Sequence, residues 1–478
     1  MVPAMSGGRD KLTIPLELEA EMTPAVRAFV LMLLKRIETL EAEVDDLKRR
    51  LGKTPQNSSL PPSSQHPHAK PAPPKPKSNR KRGGQPGHEK FERALVPPER
   101  VHETVVLKPT TCRRCRGYLK GSDPDPLRHQ VWELPEIQPT ITEYQRHRLT
   151  CSGCGATTCA ELPPGVPEGQ SGPRLVAFVA LLMAHFRQSK RRVSLFCETV
   201  LNTPCSTGLA VKLQNQATAA LRPAYDEAVQ ALPEEKRQNI DESPTKEGNH
   251  KAWLWTFVGS LFTVFAIRAT RAGDVLEELL TPNFSGIVTC DRAKMYWRLA
   301  TLQWCWAHLK RDFQALSESP TRIAKTLGKQ LLKETTHVFR QWSRCRDGTI
   351  SRAGLKSSLS KTRRAVDRLL LRGLNCRHAR TAEVCRELYW YRQRLWTFLD
   401  HEGVEPTNNA AERALRHAVI WRKLSFGTQS AAGSRFVETM LTVIETCRQQ
   451  RRSAMSFLAA AVEAHLARQS APSLLPGA

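Results

Sequence analysis

Residues 239–268 read NIDESPTKEGNHKAWLWTFVGSLFTVFAIR, and residues 286–291 read GIVTCD. KAWLWTFVGS and LFTVFAIRA are rich in β-branched and aromatic residues and meet at a tight turn around Gly259 and Ser260, a pattern that predicts two paired strands. AGDVLEELL predicts a short helix, and GIVTCD a buried strand that ends in an acid. Asp241 stands near the first strand and Asp291 at the end of a later one, so the expected fold is a mixed sheet within an α/β domain. Two acids so placed either hold divalent ions for phosphodiester chemistry or are ordinary strand-end aspartates, and spacing alone does not choose.

The rest of the composition narrows the partner. The chain has 478 residues, 40% hydrophobic, which leaves room for roughly two to four domains and at least one large core. It carries 72 Lys and Arg against 46 Asp and Glu, a net charge of +26. That charge suits a polyanion, though it fits RNA or an anionic membrane surface as well as DNA. No apolar run approaches the about 18 residues of a membrane span, and MVPAMSGGRD lacks the features of a secretory signal, so a soluble, cytoplasmic protein is expected. Thirteen cysteines in so long a chain make no dense disulfide scaffold and suit thiols or metal ligands.

Around the sheet, the chain reads as a multidomain α/β protein. Val30, Leu33, Ile37, Leu40, Val44, Leu47 and Leu51 alternate steps of three and four, so residues 22–51 predict a coiled-coil helix that self-associates in parallel, or an amphipathic helix packed on its own domain. Residues 52–100 form a basic linker rich in Pro and Ser, in which Arg80, Lys81 and Arg82 precede two glycines; the cluster suits a phosphate backbone or is simply solvated. Residues 101–165 carry Cys112 and Cys115, then Cys151 and Cys154, each pair closely followed by Gly117 or Gly155. Four thiolates in two such knuckles predict a small zinc ribbon with structural Zn2+, with VWELPEI and TEYQRHRLT as its strands and Cys159 as a spare thiol. Residues 166–236 are helical, a DNA-binding or bridging region or a spacer. The α/β domain spans 237–430 with a helical insertion at about 320–400, and residues 431–478 close the chain as C-terminal helices and a tail. Glu412, in NNAAERALR, has a structural explanation of its own: Asn409 as the helix cap makes it the far member of a capping box.

Taken in order, these motifs resemble the insertion-sequence-66 family of transposases, of the large TnpC type, over nearly the whole chain. The resemblance rests on the zipper-like helix, QNSSLPPSS and RKRGGQPGH, the cysteine pairs, DESPTK, GIVTCD, the Cys-x-x-His block CWAHLKRDF and the closing Asn-Asn-x-x-Glu-Arg at Asn408, Asn409, Glu412 and Arg413. It implies a ribonuclease-H-like catalytic core in which Asp241, Asp291 and Glu412 hold two Mg2+ or Mn2+ ions, with Asp241 rather than the adjacent Glu242 as the first ligand. The implied activity is DNA cleavage and strand transfer; the competing functions are an inactive DNA-binding regulator and a ribonuclease-H-like nuclease. Expected DNA contacts are Arg80, Lys81, Arg82, His308, Arg311, Asn408, Arg413, Arg416, Arg422 and Lys423. The implied partners are double-stranded DNA at element ends and target, a second copy of the chain, and accessory transposition proteins where required; no membrane is implied. Two points depart from the family pattern or stand apart from it. Arg292, Ala293 and Lys294 replace the usual Gly-Tyr after the second aspartate, and Cys305 with His308 has no second ligand pair nearby, so packing, DNA contact or bracing of the carboxylates is expected there rather than a metal.

Overall fold

In the computed structural model, residues 21–51 and 93–475 are described; Arg80, Lys81 and Arg82 lie outside them. Helix α1 is Pro24–Leu51, and its seam residues Leu33, Ile37 and Leu40 are exposed. The chain divides into two units, one of Met1–Pro67, Glu143–Leu195 and Cys205–Ala478, the other of His68–Thr142 and Phe196–Pro204. The boundary falls between the two cysteine pairs, so the predicted ribbon over 101–165 is not one compact unit.

In the smaller unit, VWELPEI forms no strand, and Val131, Trp132 and Leu134 are exposed. Prolines at 135 and 139 remove ladder donors there. In the larger unit only the last three residues of TEYQRHRLT are extended, as β1 (Arg148–Thr150), paired antiparallel with β2 (Thr157–Cys159).

The larger unit is built on a five-stranded sheet. Helix α2 (Pro173–Ala184), the first half of α3 (Lys190–Val200) and α4 (Thr207–Gln230) precede β3 (Arg237–Glu247), β4 (His250–Val258) and β5 (Thr263–Arg268). After α5 (Asp274–Leu280) come β6 (Ile287–Cys290) and β7 (Thr301–Trp304). The strand order is β5-β4-β3-β6-β7; β4 runs antiparallel to both β3 and β5, and β6 and β7 run parallel to β3. Helix α6 (Trp306–Ser317) is followed by α7 (Arg322–Arg346), α8 (Arg352–Leu374) and α9 (Ala379–Trp390), each packed on the one before. Gly328 permits the α6–α7 approach, since a Cβ there would meet the Ser317 nitrogen at 2.3 Å. The short α10 (Thr397–Asp400) returns to β7, and α11 (Asn409–Ser425), α12 (Ala431–Gln449) and α13 (Ala454–Leu466) close the chain.

Two packing relations set the frame of the site. Helix α11 lies on β3 and β4, where Ala411, Ala414, Leu415 and Ala418 share a buried cluster with Leu254, Phe265 and Ile267. Helix α12 covers the free edge of β5. Four helical residues rise about 6 Å and two strand residues about 6.6 Å, so side chains spaced by four meet backbone groups spaced by two. Glu438, Thr442 and Thr446 accordingly accept hydrogen bonds from the N–H groups of Ile267, Phe265 and Thr263 at 2.9, 2.9 and 3.1 Å. An edge that would otherwise recruit another chain is thereby satisfied. Helices α2 and α4 pack on α12 and α13. The segment read as a separate helical region or spacer is therefore part of the same layer as the C-terminal helices, an arrangement that chain order conceals.

Candidate active site

Strand alternation separates the two adjacent acids of DESPTK. In β3, Asp241 is paired with Thr256 and Ser243 with Leu254, so Asp241 shares the face that α11 covers. Glu242 is paired with Trp255 and points the other way. There it accepts hydrogen bonds from the Tyr296 hydroxyl and from Arg271 Nε at 2.6 Å, while the Tyr296 ring packs edge-on against Trp255. Glu242 thus has its own donors on the far face, and Asp241 is the acid turned toward Glu412.

Asp291 follows the last residue of β6, where the Ala293 N–H donates to its Oδ1 at 2.8 Å. β6 is parallel to β3 and hydrogen-bonded to it, which brings Asp291 beside Asp241. Glu412 comes from the first turn of α11. The capping box expected at Asn409 does not form: the cap residue is Asn408, its side chain makes no capping bond, and the Glu412 N–H bonds the Asn408 carbonyl at 3.1 Å. The helix starts one residue earlier than the NAAE reading required, so Glu412 lies a position beyond that of a capping-box acid.

Asn408 was expected to touch DNA, and its surroundings correct that. It is completely buried, its amide donates to the Ile240 carbonyl at 2.7 Å, and its Oδ1 accepts from Asn239 at 3.0 Å. Its backbone N–H points at Cys305 Sγ, 3.2 Å away. Asn408 therefore ties the start of α11 to β3, one residue from Asp241, and is fully buried.

The electrostatics record how close the acids are. Burial holds Asp241 well above the usual carboxylate range, and Glu242, Asp291 and Glu412 all push it the same way. Burial also raises Glu412, against the pull of Arg311, Arg416 and Arg413. One cation sits at the rim: Arg271 Nη2 is 3.9 Å from Asp291 Oδ2, but the same guanidinium pairs with Glu242.

Beside Glu412 stand the two residues of the Cys-x-x-His block. Cys305 precedes α6 and is fully buried, and burial pushes its thiol up to about 11. His308 Nδ1 lies 3.6 Å from Glu412 Oε1. Burial first, then Arg311, push the imidazole down to about 4, so it is neutral at physiological pH and makes no salt bridge there. Ligand atoms of Cys305, His308 and Glu412 all fall within 4.8 Å of one another.

An open groove of about 680 Å³ runs from Asp291 past Lys294, His308 and Arg311 to Arg380 and Glu387 on α9. Arg292, one of the departures after the second aspartate, pairs with Asp312 at 3.0 Å and with Glu387. It is thereby committed to joining the loop after β6 to α6 and α9. Arg413, Arg416 and Lys423 are exposed along α11, whereas Arg422 is half-buried and donates to Ser243 Oγ at 2.8 Å and to the Pro244 carbonyl. The sequence reading missed Arg271, Tyr296 as the Glu242 donor, and Arg380; none carries a local signal, since each acquires its role through a contact made across the fold.

The cysteine pairs are each described alone. Cys112 N–H donates to the Gly117 carbonyl at 2.8 Å and Arg116 N–H to Cys112 at 3.0 Å; Cys151 N–H donates to Ala156 and Gly155 N–H to Cys151, both at 2.9 Å. Backbone N–H groups of Cys115 and Arg114 lower the Cys112 thiol, and those of Cys154 and Gly153 lower Cys151. Both turns thus have the same form, but the left-handed residue after the second cysteine is Arg116 in one and Gly155 in the other, so Gly117 does not relieve the turn as expected.

With the geometry in view, comparison with known proteins decides the family. The profile described as the transposase IS66 family matches residues 168–435, more than half of the chain and all three acids. The chain belongs to the IS66 transposase family. A family of unknown function (DUF6444) matches residues 11–94. Two uncharacterized proteins of Sinorhizobium fredii (strain NBRC 101917 / NGR234) are similar in sequence. Protein y4hP is 25% identical over 393 residues, 74% of this chain and 70% of its own length, and y4qI is 28% identical over 387 residues, 73% and 69%. Family membership supports a transposase role and, with it, association with DNA. No helix among the described residues is long and apolar enough to cross a membrane.

Proposed function

We propose that the chain is a DNA transposase that binds the ends of its element and carries out metal-dependent cleavage and strand transfer at Asp241, Asp291 and Glu412. The observation that carries this is the meeting of three carboxylates from β3, the end of β6 and the first turn of α11, two of which raise the third. The strand order, with β3 central and antiparallel to β4 but parallel to β6, supports a ribonuclease-H-like core.

The donor set fits magnesium or manganese. All three groups offer hard oxygens, and the nearby charges acting on Asp241 are carboxylates. Divalent ions bound by Asp241, Asp291 and Glu412 would activate the attacking oxygen and stabilise the leaving one. The chain's own groups do the rest. Asn408 holds Glu412 to the strand that carries Asp241. Arg271 and Tyr296 keep Glu242 turned away. Lys294, Arg311 and Arg380 stand in the mixed-charge groove beside Asp291, among Asp312, Glu383 and Glu387, as groups that can contact a phosphate backbone, and Arg413, Arg416 and Lys423 are exposed along α11. In strand transfer a 3′ hydroxyl attacks a target phosphodiester; one P–O bond forms as another breaks, so no external energy source is needed.

Each cysteine knuckle by itself supplies two thiols of the type that holds structural Zn2+, and the exposed Leu33, Ile37 and Leu40 of α1 support pairing with a second copy of the chain. The functional reading is tested by incubating the protein with DNA carrying the element ends and a target, with and without Mg2+. Cleaved and joined products that appear only with the ion are expected. Salt-sensitive binding with no product would replace the transposase by a regulatory DNA-binding protein.

A further inference from the structure

We infer that Cys305, His308 and Glu412 form a second metal site, selective for a thiophilic cation such as Zn2+, whose occupation inhibits the acidic site. Three observations meet here. The ligand atoms lie within 4.8 Å of one another, although Glu412 is more than a hundred residues from the other two. His308 Nδ1 and Glu412 Oε1 are both buried and have no hydrogen-bond partner among the described residues. Buried polar atoms are nearly always satisfied, so an orphaned imidazole nitrogen facing an orphaned carboxylate oxygen is a place prepared for something else. The Asn408 N–H directed at Cys305 Sγ is an outer contact of the kind that steadies a metal-bound thiolate.

The chemistry of the set points away from magnesium. Thiolate, imidazole and carboxylate suit zinc, and a tetrahedral zinc ion spaces its ligands about 3.3–3.8 Å apart. The His308 to Glu412 separation of 3.6 Å already falls in that range. The remaining closure is small, since all three ligand atoms already lie within 4.8 Å of one another. On binding, the Cys305 proton passes to solvent and its sulfur bonds the ion.

The inhibitory consequence rests on the proposed function, because it requires Glu412 to serve the catalytic ions. A doubly charged ion on Glu412 removes the negative charge that attracts Mg2+ and repels a second cation at close range.

The test uses the full chain stripped of bound metal. Co2+ is then titrated into the wild type and into Cys305→Ser, and the thiolate-to-cobalt absorption band is followed. One further equivalent per chain with a thiolate band is expected in the wild type and is absent from Cys305→Ser. Equal uptake and equal bands overturn the site. Should Cys305→Ser fail to fold, His308→Gln is measured in its place, with loss of that equivalent expected. In the second arm, micromolar Zn2+ is added to reactions in excess Mg2+, each variant being compared with its own rate in Mg2+ alone. At least a tenfold higher zinc concentration for half-inhibition is expected in Cys305→Ser. Binding without inhibition overturns the regulatory consequence and leaves the site standing. A wild type with no Mg2+-dependent activity refutes the catalytic reading, and the cobalt band still decides the site.

Discussion

Replacing Asn408 by alanine severs the link between the strand that carries Asp241 and the helix that carries Glu412. The wild-type amide makes two hydrogen bonds at a fully buried position, to the Ile240 carbonyl at 2.7 Å and from Asn239 at 3.0 Å. Each buried polar group stranded by a truncation costs about 1–3 kcal/mol. Asn239 keeps a long contact to the Thr407 carbonyl at 3.5 Å, which softens the second loss. The expected destabilisation is therefore about 2–4 kcal/mol, seen in urea as a midpoint lower by about 1 M at a slope near 3 kcal/mol per molar. Asn408→Asp should be worse, since it keeps the acceptor for Asn239 but sets a carboxylate against the Ile240 carbonyl beside the existing acids. The site should respond as well: with Glu412 no longer held, the Mg2+ concentration for half-maximal activity should rise about tenfold, equivalent to about 1.4 kcal/mol. Unfolding of Asn408→Ala within about 0.5 kcal/mol of the wild type would refute the bridging role.

Other consequences follow from the same contacts. The carboxyl of Asp241 is raised in the folded state, so its contribution to stability is present at low pH and lost as the pH rises through the folded value. Metal-free Asp241→Asn should therefore melt higher than the wild type at neutral pH, by about 2–4 °C for each kcal/mol recovered. The difference should shrink on acidification, and Mg2+ should stabilise the wild type alone; scanning calorimetry reads all three. Thr442→Val leaves the buried N–H of Phe265 without its acceptor and should cost about 1–3 kcal/mol, measured by the same unfolding. Replacing Cys112 and Cys115 by alanine should lower the zinc content of the purified protein, and unchanged stoichiometry by atomic absorption would remove the proposed structural zinc.

Local patterning made part of this molecule legible. The runs of β4, β5 and β6 announced themselves by β-branched and aromatic residues, and Asp291 by its place at the end of GIVTC. Strand β7 escaped because TLQW is four residues long, too short to establish a period. The choice between Asp241 and Glu242 needed the register: only pairing with Thr256 and Trp255 shows which acid faces α11. A one-residue difference in where α11 begins removed the capping box and turned Asn408 from a presumed DNA contact into a buried tie. Arg292 stood out only as a departure from the family pattern; Asp312 and Glu387 hold it, and both partners come from helices later in the chain. Cys305 and His308 lacked a second ligand pair within the sequence around them; Glu412 supplies a third ligand only after the chain has folded.

The central claim is that three carboxylates act together, and strand transfer measures it most directly. With element-end DNA, target DNA and Mg2+, Asp291→Asn should lose joined product by at least a thousandfold, roughly the scale on which a transition-state electrostatic group is felt, while its affinity for the ends stays close to that of the wild type. Metal-dependent joining by Asp291→Asn at a rate near that of the wild type would contradict the account.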